Sequence, residues 1–134
     1  MNLKDFDGWN IKKADLDSRT NSIYFHEREI WWTSIGHNVG SEEDGKSDQY
    51  SRPVLIFRKF NANFFYGIPL STTEKRGQYY FPFTNSMGTT SVALLSHMRD
   101  YSAKRLLTKY AVMNTGDYKK LQEAMQAIIT REAP

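Results

Sequence analysis

The sequence predicts a mainly β domain with α: six short strands curled into a small barrel, closed by one carboxy-terminal helix and preceded by a short helical extension. Three observations carry this expectation. Six segments rich in Val, Ile, Phe, Tyr and Trp are separated by turns of Gly, Pro, Asn and Ser. Near the end of the chain Tyr118, Leu121, Met125 and Ile128 step by 3, 4 and 3, the stripe of a helix packed on one side. The length of 134 residues suits one domain, which at this size buries roughly two-thirds of the surface of its unfolded chain.

Residues 1–24 read as an extension. Leu3, Phe6 and Trp9 recur every third residue and predict a short helix with one apolar side, and the polar stretch Asp15 to Ser22 reads as a linker. The barrel domain spans residues 25–134. Its first strand is Glu29 to Ile35, stopped by Gly36; Trp31 and Trp32 are adjacent, so this strand is expected to be covered on both faces. Gly36 to Ser51 has three glycines, an acidic cluster and no apolar run, a long loop of the kind that often carries function. Pro53 to Phe57 is a continuous apolar run with Pro in first position, where no ladder donor is lost. After the turn at Asn61-Ala62-Asn63, Phe64, Tyr66, Ile68 and Leu70 alternate with Phe65, Gly67, Pro69 and Ser71, and Pro69 marks an edge or a bulge. Glu74-Lys75-Arg76-Gly77 reads as a hairpin turn into the strand Tyr79 to Phe83. Asn85-Ser86-Met87-Gly88 turns into Ser91 to Leu95, and after an irregular piece Leu106 to Met113 is the last strand. Asn114 is the expected cap of the final helix, with Asp117 facing its free N–H groups.

The formal net charge of +3 is unevenly spread: residues 1–50 carry −4, residues 51–113 carry +7 and residues 114–134 sum to zero. The nine cations of the middle segment form a footprint for a polyanion or an acidic protein tail if they share a face, and a solubilising surface if they do not. Several chemistries are excluded. No apolar run approaches the ~20 residues that cross a bilayer, and Met1 to Asp7 has the look of neither a secretion signal nor its cleavage site. With no cysteine there is no disulfide, thiol nucleophile or thiolate metal site, and the cytoplasm is the default compartment. Neither standard phosphate-loop spacing occurs, His26, His37 and His97 lie in separate segments, and Glu42-Glu43-Asp44 with Asp48 lacks the spacing of a calcium loop. No cofactor and no metal are expected.

Glu29-Ile30-Trp31-Trp32, Val39-Gly40-Ser41-Glu42-Glu43-Asp44-Gly45, Arg52-Pro53-Val54-Leu55-Ile56 and Ile68-Pro69-Leu70-Ser71-Thr72 occur in that order. Together with Leu94-Leu95-Ser96-His97-Met98-Arg99 and Lys104-Arg105-Leu106, this series resembles the PemK/MazF family of toxin–antitoxin toxins from about Arg28 to Ile129. The resemblance implies an SH3-like, partly open barrel with a carboxy-terminal helix, assembled as a homodimer. It implies sequence-specific, metal-independent endoribonuclease activity on single-stranded RNA, and inhibition by an acidic antitoxin whose disordered tail lies across the RNA-binding groove.

RNA carries its own nucleophile, the 2′-hydroxyl, so a protein has only to deprotonate it, stabilise charge on the phosphoryl oxygens and protonate the leaving oxygen. Arg52 matches the family's catalytic arginine, and its planar, permanently charged guanidinium suits that stabilising role; its bland alternative is a strand-start Arg in a surface ion pair. Ser71 aligns with the catalytic threonine, with Thr72 one residue away as the second candidate; the alternative is a strand end rich in hydroxyls. Glu42, in the family's Gly-Ser-Glu piece beside Ser41, is a better proton acceptor than an arginine unless it is one more solvated loop carboxylate. His37 is of the residue type that can change charge near neutral pH, but the family does not require His there, and its alternative is a surface loop residue. Arg99, Lys75, Arg76 and Ser41 are the candidate RNA-binding residues, and Tyr79, Tyr80 and Phe81 either stack on bases or fill the barrel.

Three departures stand out. Lys46 to Ser51 lengthen the loop before Arg52, Asp100-Tyr101-Ser102 replaces the more usual Thr-Ile-Asp, and the first 25 or so residues have no counterpart in minimal members. Two other functions fit the same fold: a CcdB-like toxin that binds DNA gyrase, disfavoured by the polar end Thr130 to Pro134, and a catalytically silent relative, disfavoured by the presence of Arg52 and Ser71.

Overall fold

The computed structural model describes residues 4–19, 23–36, 44–45 and 50–131. An amino-terminal helix α1 (Phe6–Asp17) precedes seven strands, β1 (Glu29–Ser34), β2 (Ser51–Lys59), β3 (Phe64–Ser71), β4 (Tyr80–Thr84), β5 (Thr90–Leu94), β6 (Arg99–Ser102) and β7 (Leu106–Val112), and helix α2 (Thr115–Thr130) ends the chain. The strands pair antiparallel in the order β4-β5-β3-β2-β1-β7, with β6 also on β3.

Strand β3 organises the sheet. Its first half, Phe64 to Gly67, pairs with β6, and its last two residues, Leu70 and Ser71, pair with β5. Pro69 falls where β3 changes partner, so a residue without an N–H sits inside an interior strand rather than on an edge. The sheet then curls until its ends approach. Ser86, in the β4–β5 turn, donates its backbone N–H to the Val112 carbonyl at 3.1 Å and accepts at Oγ from Val112 N–H at 2.9 Å. Tyr110 donates its hydroxyl to Thr89 Oγ1 at 3.0 Å. The mainly β, partly open barrel is therefore closed at that corner by a turn rather than by a strand ladder.

Alternation divides the apolar residues between two cores. Ile30, Leu55, Ile68, Leu70 and Met113 meet Leu121 and Met125 of α2, while Phe25, Val54, Ile56, Phe65, Tyr101 and Leu106 gather in the second. Helix α2 forms as its stripe requires, and Asn114 caps it by accepting from Asp117 N–H at 2.7 Å. Leu121 is fully buried, a contribution of about 1.5–3 kcal/mol.

Several expectations are corrected. Among the described residues there are seven strands rather than six, because the irregular piece before Leu106 contains β6. The Glu74–Gly77 turn is not a hairpin: β4 pairs with β5, which lies between it and β3. Pro53 is the third residue of its strand. The strand β1 is not covered on both faces, since Trp32 is 39% exposed. Helix α1 continues through Asp15 to Asp17, into the expected linker, and buries Trp9 and Leu16 while Phe6 is 48% exposed. Residues seven apart return to one helical face after two turns, which is the spacing that governs here; Leu3 lies outside the described residues.

Several cations of residues 51–113 are paired with carboxylates. Arg58, Lys104 and Lys109 pair with Glu27, Asp17 and Glu29 of the acidic amino-terminal part, at 3.7, 4.0 and 3.0 Å, and Arg76 pairs with Glu74 at 2.9 Å. Much of the charge asymmetry along the chain is thus balanced inside the fold.

Candidate functional site

The start of β2 and the end of β3 lie side by side. Val54 pairs with Pro69, and continuing that register by two residues sets Arg52 opposite Ser71. Directly opposed residues of an antiparallel pair project to the same side, and both line one cleft of about 440 Å³. Thr72 and Thr73 extend its rim from β3, and Thr89 and Ser91 face them from the β4–β5 hairpin. Trp32 of β1 and Tyr110 of β7 supply an aromatic wall, their ring centres 6.0 Å apart and tilted by 53°. The β1–β7 ladder slips register on either side of Trp31 and Trp32, which is how a residue of β7 comes to stand beside Trp32 in the cleft.

Arg52 is held by the backbone. Its Nε donates to the Asp44 carbonyl at 3.0 Å and its Nη1 to the Leu70 carbonyl at 3.1 Å. Two bonds from different edges of a planar guanidinium fix both its position and its plane. Ser71 is half-buried and accepts from Thr73 N–H at 3.1 Å, which leaves the hydroxyl hydrogen able to donate. Thr72 is exposed and bridges to a neighbouring hollow of about 450 Å³ lined by Lys75 and Arg76. Lys75 lies 5.7 Å from the Tyr80 ring centre.

The other expected residues fall elsewhere. Arg99 does not line the cleft: it pairs with Gly67, four residues before Ser71 on β3, a separation of about 13 Å along a strand. It faces the Tyr101 ring at 5.2 Å and stands near Arg105. Burial first, and then the charge of Arg99, push the Arg105 guanidinium below its ordinary value. Glu42, Ser41 and His37 lie outside the described residues. Tyr79, Tyr80 and Phe81 are half-buried, and Phe81 packs against the α2 core. Among the described residues no cluster of three or more His, Asp and Glu side chains is arranged to hold a metal ion.

Residues 26–129 match the family model described as PemK-like, MazF-like toxin of type II toxin–antitoxin system. The chain belongs to that family. Solved MazF structures share its fold at low identity. The Mycobacterium tuberculosis toxin MazF-mt6 superposes with a TM-score of 0.60 at 16% identity, covering 79% of this chain and 100% of its own. MazF from Deinococcus radiodurans gives 0.65 at 16%, covering 80% and 98%. A MazE–MazF structure from the same organism gives 0.59 at 11%, covering 82% and 100%. No curated protein sequence matches significantly. The family match begins after α1, which lies outside it.

The residues that sequence reasoning missed are Trp32, Tyr110 and Thr89. Alternation carried one usable signal: of two adjacent Trp residues in a strand, each must face a different side, and one of those sides here is the cleft wall.

Proposed function

We propose that this PemK/MazF-family toxin is an endoribonuclease that cleaves single-stranded RNA at specific sequences by attack of the 2′-hydroxyl on the adjacent phosphate, without a metal ion. The observation that carries the reading is the shared cleft of Arg52 and Ser71 at neighbouring strand ends. Arg52 meets the nonbridging phosphate oxygens as negative charge builds on them, and its carbonyl partners keep the guanidinium oriented before substrate arrives. Ser71 donates to the same phosphate or orients the 2′-hydroxyl, with Thr72 the second candidate for that task. Trp32 and Tyr110 offer faces on which unstacked bases rest. Lys75 and Arg76, in the adjoining hollow, hold flanking phosphates. Glu42 is retained as the candidate base that takes the 2′-hydroxyl proton, since a guanidinium that stays protonated is a poor acceptor.

An acidic antitoxin tail would use the same cleft, because a polyanion of carboxylates and one of phosphates present like charge to Arg52, Lys75 and Arg76. The toxin is proposed to act as a homodimer in the cytoplasm; no described helix is long and apolar enough to cross a membrane.

The deciding experiment incubates the purified protein with end-labelled RNA in excess EDTA, beside Arg52→Ala and Ser71→Ala. Cleavage without metal, 2′,3′-cyclic phosphate ends and severe loss in Arg52→Ala are expected. Cleavage abolished by EDTA would reject the mechanism, and full activity in Arg52→Ala would reject the site.

A further inference from the structure

Helix α1 lies outside the family match, yet its first turn reaches the segment that holds Arg52. Lys4 Nζ is 2.9 Å from Asp44 Oδ2 and 3.3 Å from Oδ1. Asp5 caps α1 by accepting from Gly8 N–H at 2.9 Å through one carboxylate oxygen, and accepts from the Tyr50 hydroxyl at 3.0 Å through the other. Trp9 packs its ring 5.5 Å from that of Tyr50 and lies so close over Gly36 that a Cβ there would come within 2.0 Å of the indole. Tyr50 is in the left-handed region, at φ +52°, which a bulky side chain adopts only where its surroundings over-determine it. Its carbonyl accepts from both Ile35 and Gly36 N–H, at 2.9 and 3.0 Å. Helix α1 therefore grips both described parts of the loop, Asp44 and Tyr50, and Asp44 supplies the carbonyl to which Arg52 Nε donates.

We propose that α1 is a positioning element for the catalytic arginine: Lys4, Asp5 and Trp9 clamp Asp44 and Tyr50 so that the Asp44 carbonyl holds the Arg52 guanidinium toward the cleft. The catalytic half of this statement rests on the nuclease reading above; the clamp itself rests on contacts alone. None of the three residues touches the reacting atoms. Their effect is to keep the guanidinium plane fixed, where a shift of an ångström costs rate rather than binding.

The test uses the full chain and compares Lys4→Ala, Tyr50→Phe and the reversed pair Lys4→Asp with Asp44→Lys. Three readouts are taken: kcat and KM for an RNA oligonucleotide, hydrogen exchange of the Arg52 Nε–H by NMR, and Tm. Lys4→Ala and Tyr50→Phe are expected to lower kcat by about threefold to tenfold, with KM changed by less than about twofold. Exchange at Arg52 Nε–H should quicken while Tm moves by only about 2 °C. The reversed pair should restore kcat to within about twofold, because the ion pair survives with its ends exchanged and the Asp44 carbonyl is backbone. The clamp is overturned if kcat and Arg52 exchange are indifferent to both single variants, or if kcat falls only in step with Tm and the reversed pair restores neither. If the unsubstituted chain does not cleave RNA, the nuclease reading fails instead, and the Arg52 exchange comparison decides the clamp by itself.

Discussion

Arg52 is the residue on which most depends, and its geometry makes a graded prediction. Arg52→Ala should lower the cleavage rate by about a hundredfold or more, the usual cost of removing a preorganised donor to a developing oxyanion. Arg52→Lys should recover little of it, because an ammonium cannot satisfy two carbonyls and a phosphate from one plane. Gel analysis of labelled RNA checks both. Ser71→Ala should cost more than Thr72→Ala, since Ser71 lies opposite Arg52 and Thr72 is exposed. Trp32→Ala should act differently, raising KM by about tenfold with kcat retained, as loss of one stacking platform implies. A normal KM in Trp32→Ala would remove the aromatic wall from the binding site. At this scale the sequence was readable where chemistry is local: an Arg at a strand start and a Ser two strand residues after Pro69 are visible in one dimension. The wall was not, because Tyr110 reaches Trp32 through a slipped register between two strands far apart in the sequence.

Among the elements, β1 and β7 are tied by Glu29, a nearly buried carboxylate. Burial alone raises its pKa, but hydrogen bonds from Trp31 Nε1, Lys109 Nζ and the His26 backbone N–H outweigh that and hold it below the ordinary value. A carboxyl whose pKa is lower folded than unfolded stabilises the fold at pH above the unfolded value, and that contribution fades as pH falls through the folded one. Glu29→Gln should therefore cost about 1–2 kcal/mol near neutral pH, with a deficit that shrinks in melting curves below about pH 4. A deficit independent of pH would mean that packing, not charge, ties the strands. The strands themselves were legible from alternation and turns, as was α2 from its stripe and cap. Strand order was not: nothing local in Glu74 to Gly77 says that β5 intervenes between β3 and β4, since that choice is made by long-range packing of Phe83 and Ala93 with Leu70.

For the whole molecule, the number of cations that line the cleft and its neighbour sets how strongly salt governs RNA binding. Of the nine cations between residues 51 and 113, Arg52, Lys75 and Arg76 line the two adjoining hollows. Single-stranded RNA bound by about three cations should give a slope of log K against log salt near −2, whereas nine would give about −6. Fluorescence titration of an uncleavable deoxy-substituted oligonucleotide distinguishes these, and a slope near about −4 would mean that Arg99, Lys104 and Arg105 join the track. The long loop before Arg52 adds a last consequence. Gly45 donates to the Gly36 carbonyl at 2.6 Å, and its Cα stands so near Tyr50 that an added Cβ would lie 1.6 Å from the Tyr50 carbonyl oxygen. Gly45 and Tyr50 thus meet at one pinched point, and Gly45→Ala should pry it open. Because Asp44 stands next to Gly45, prising Gly45 from Tyr50 would also carry the Asp44 carbonyl away from Arg52 Nε and release the guanidinium.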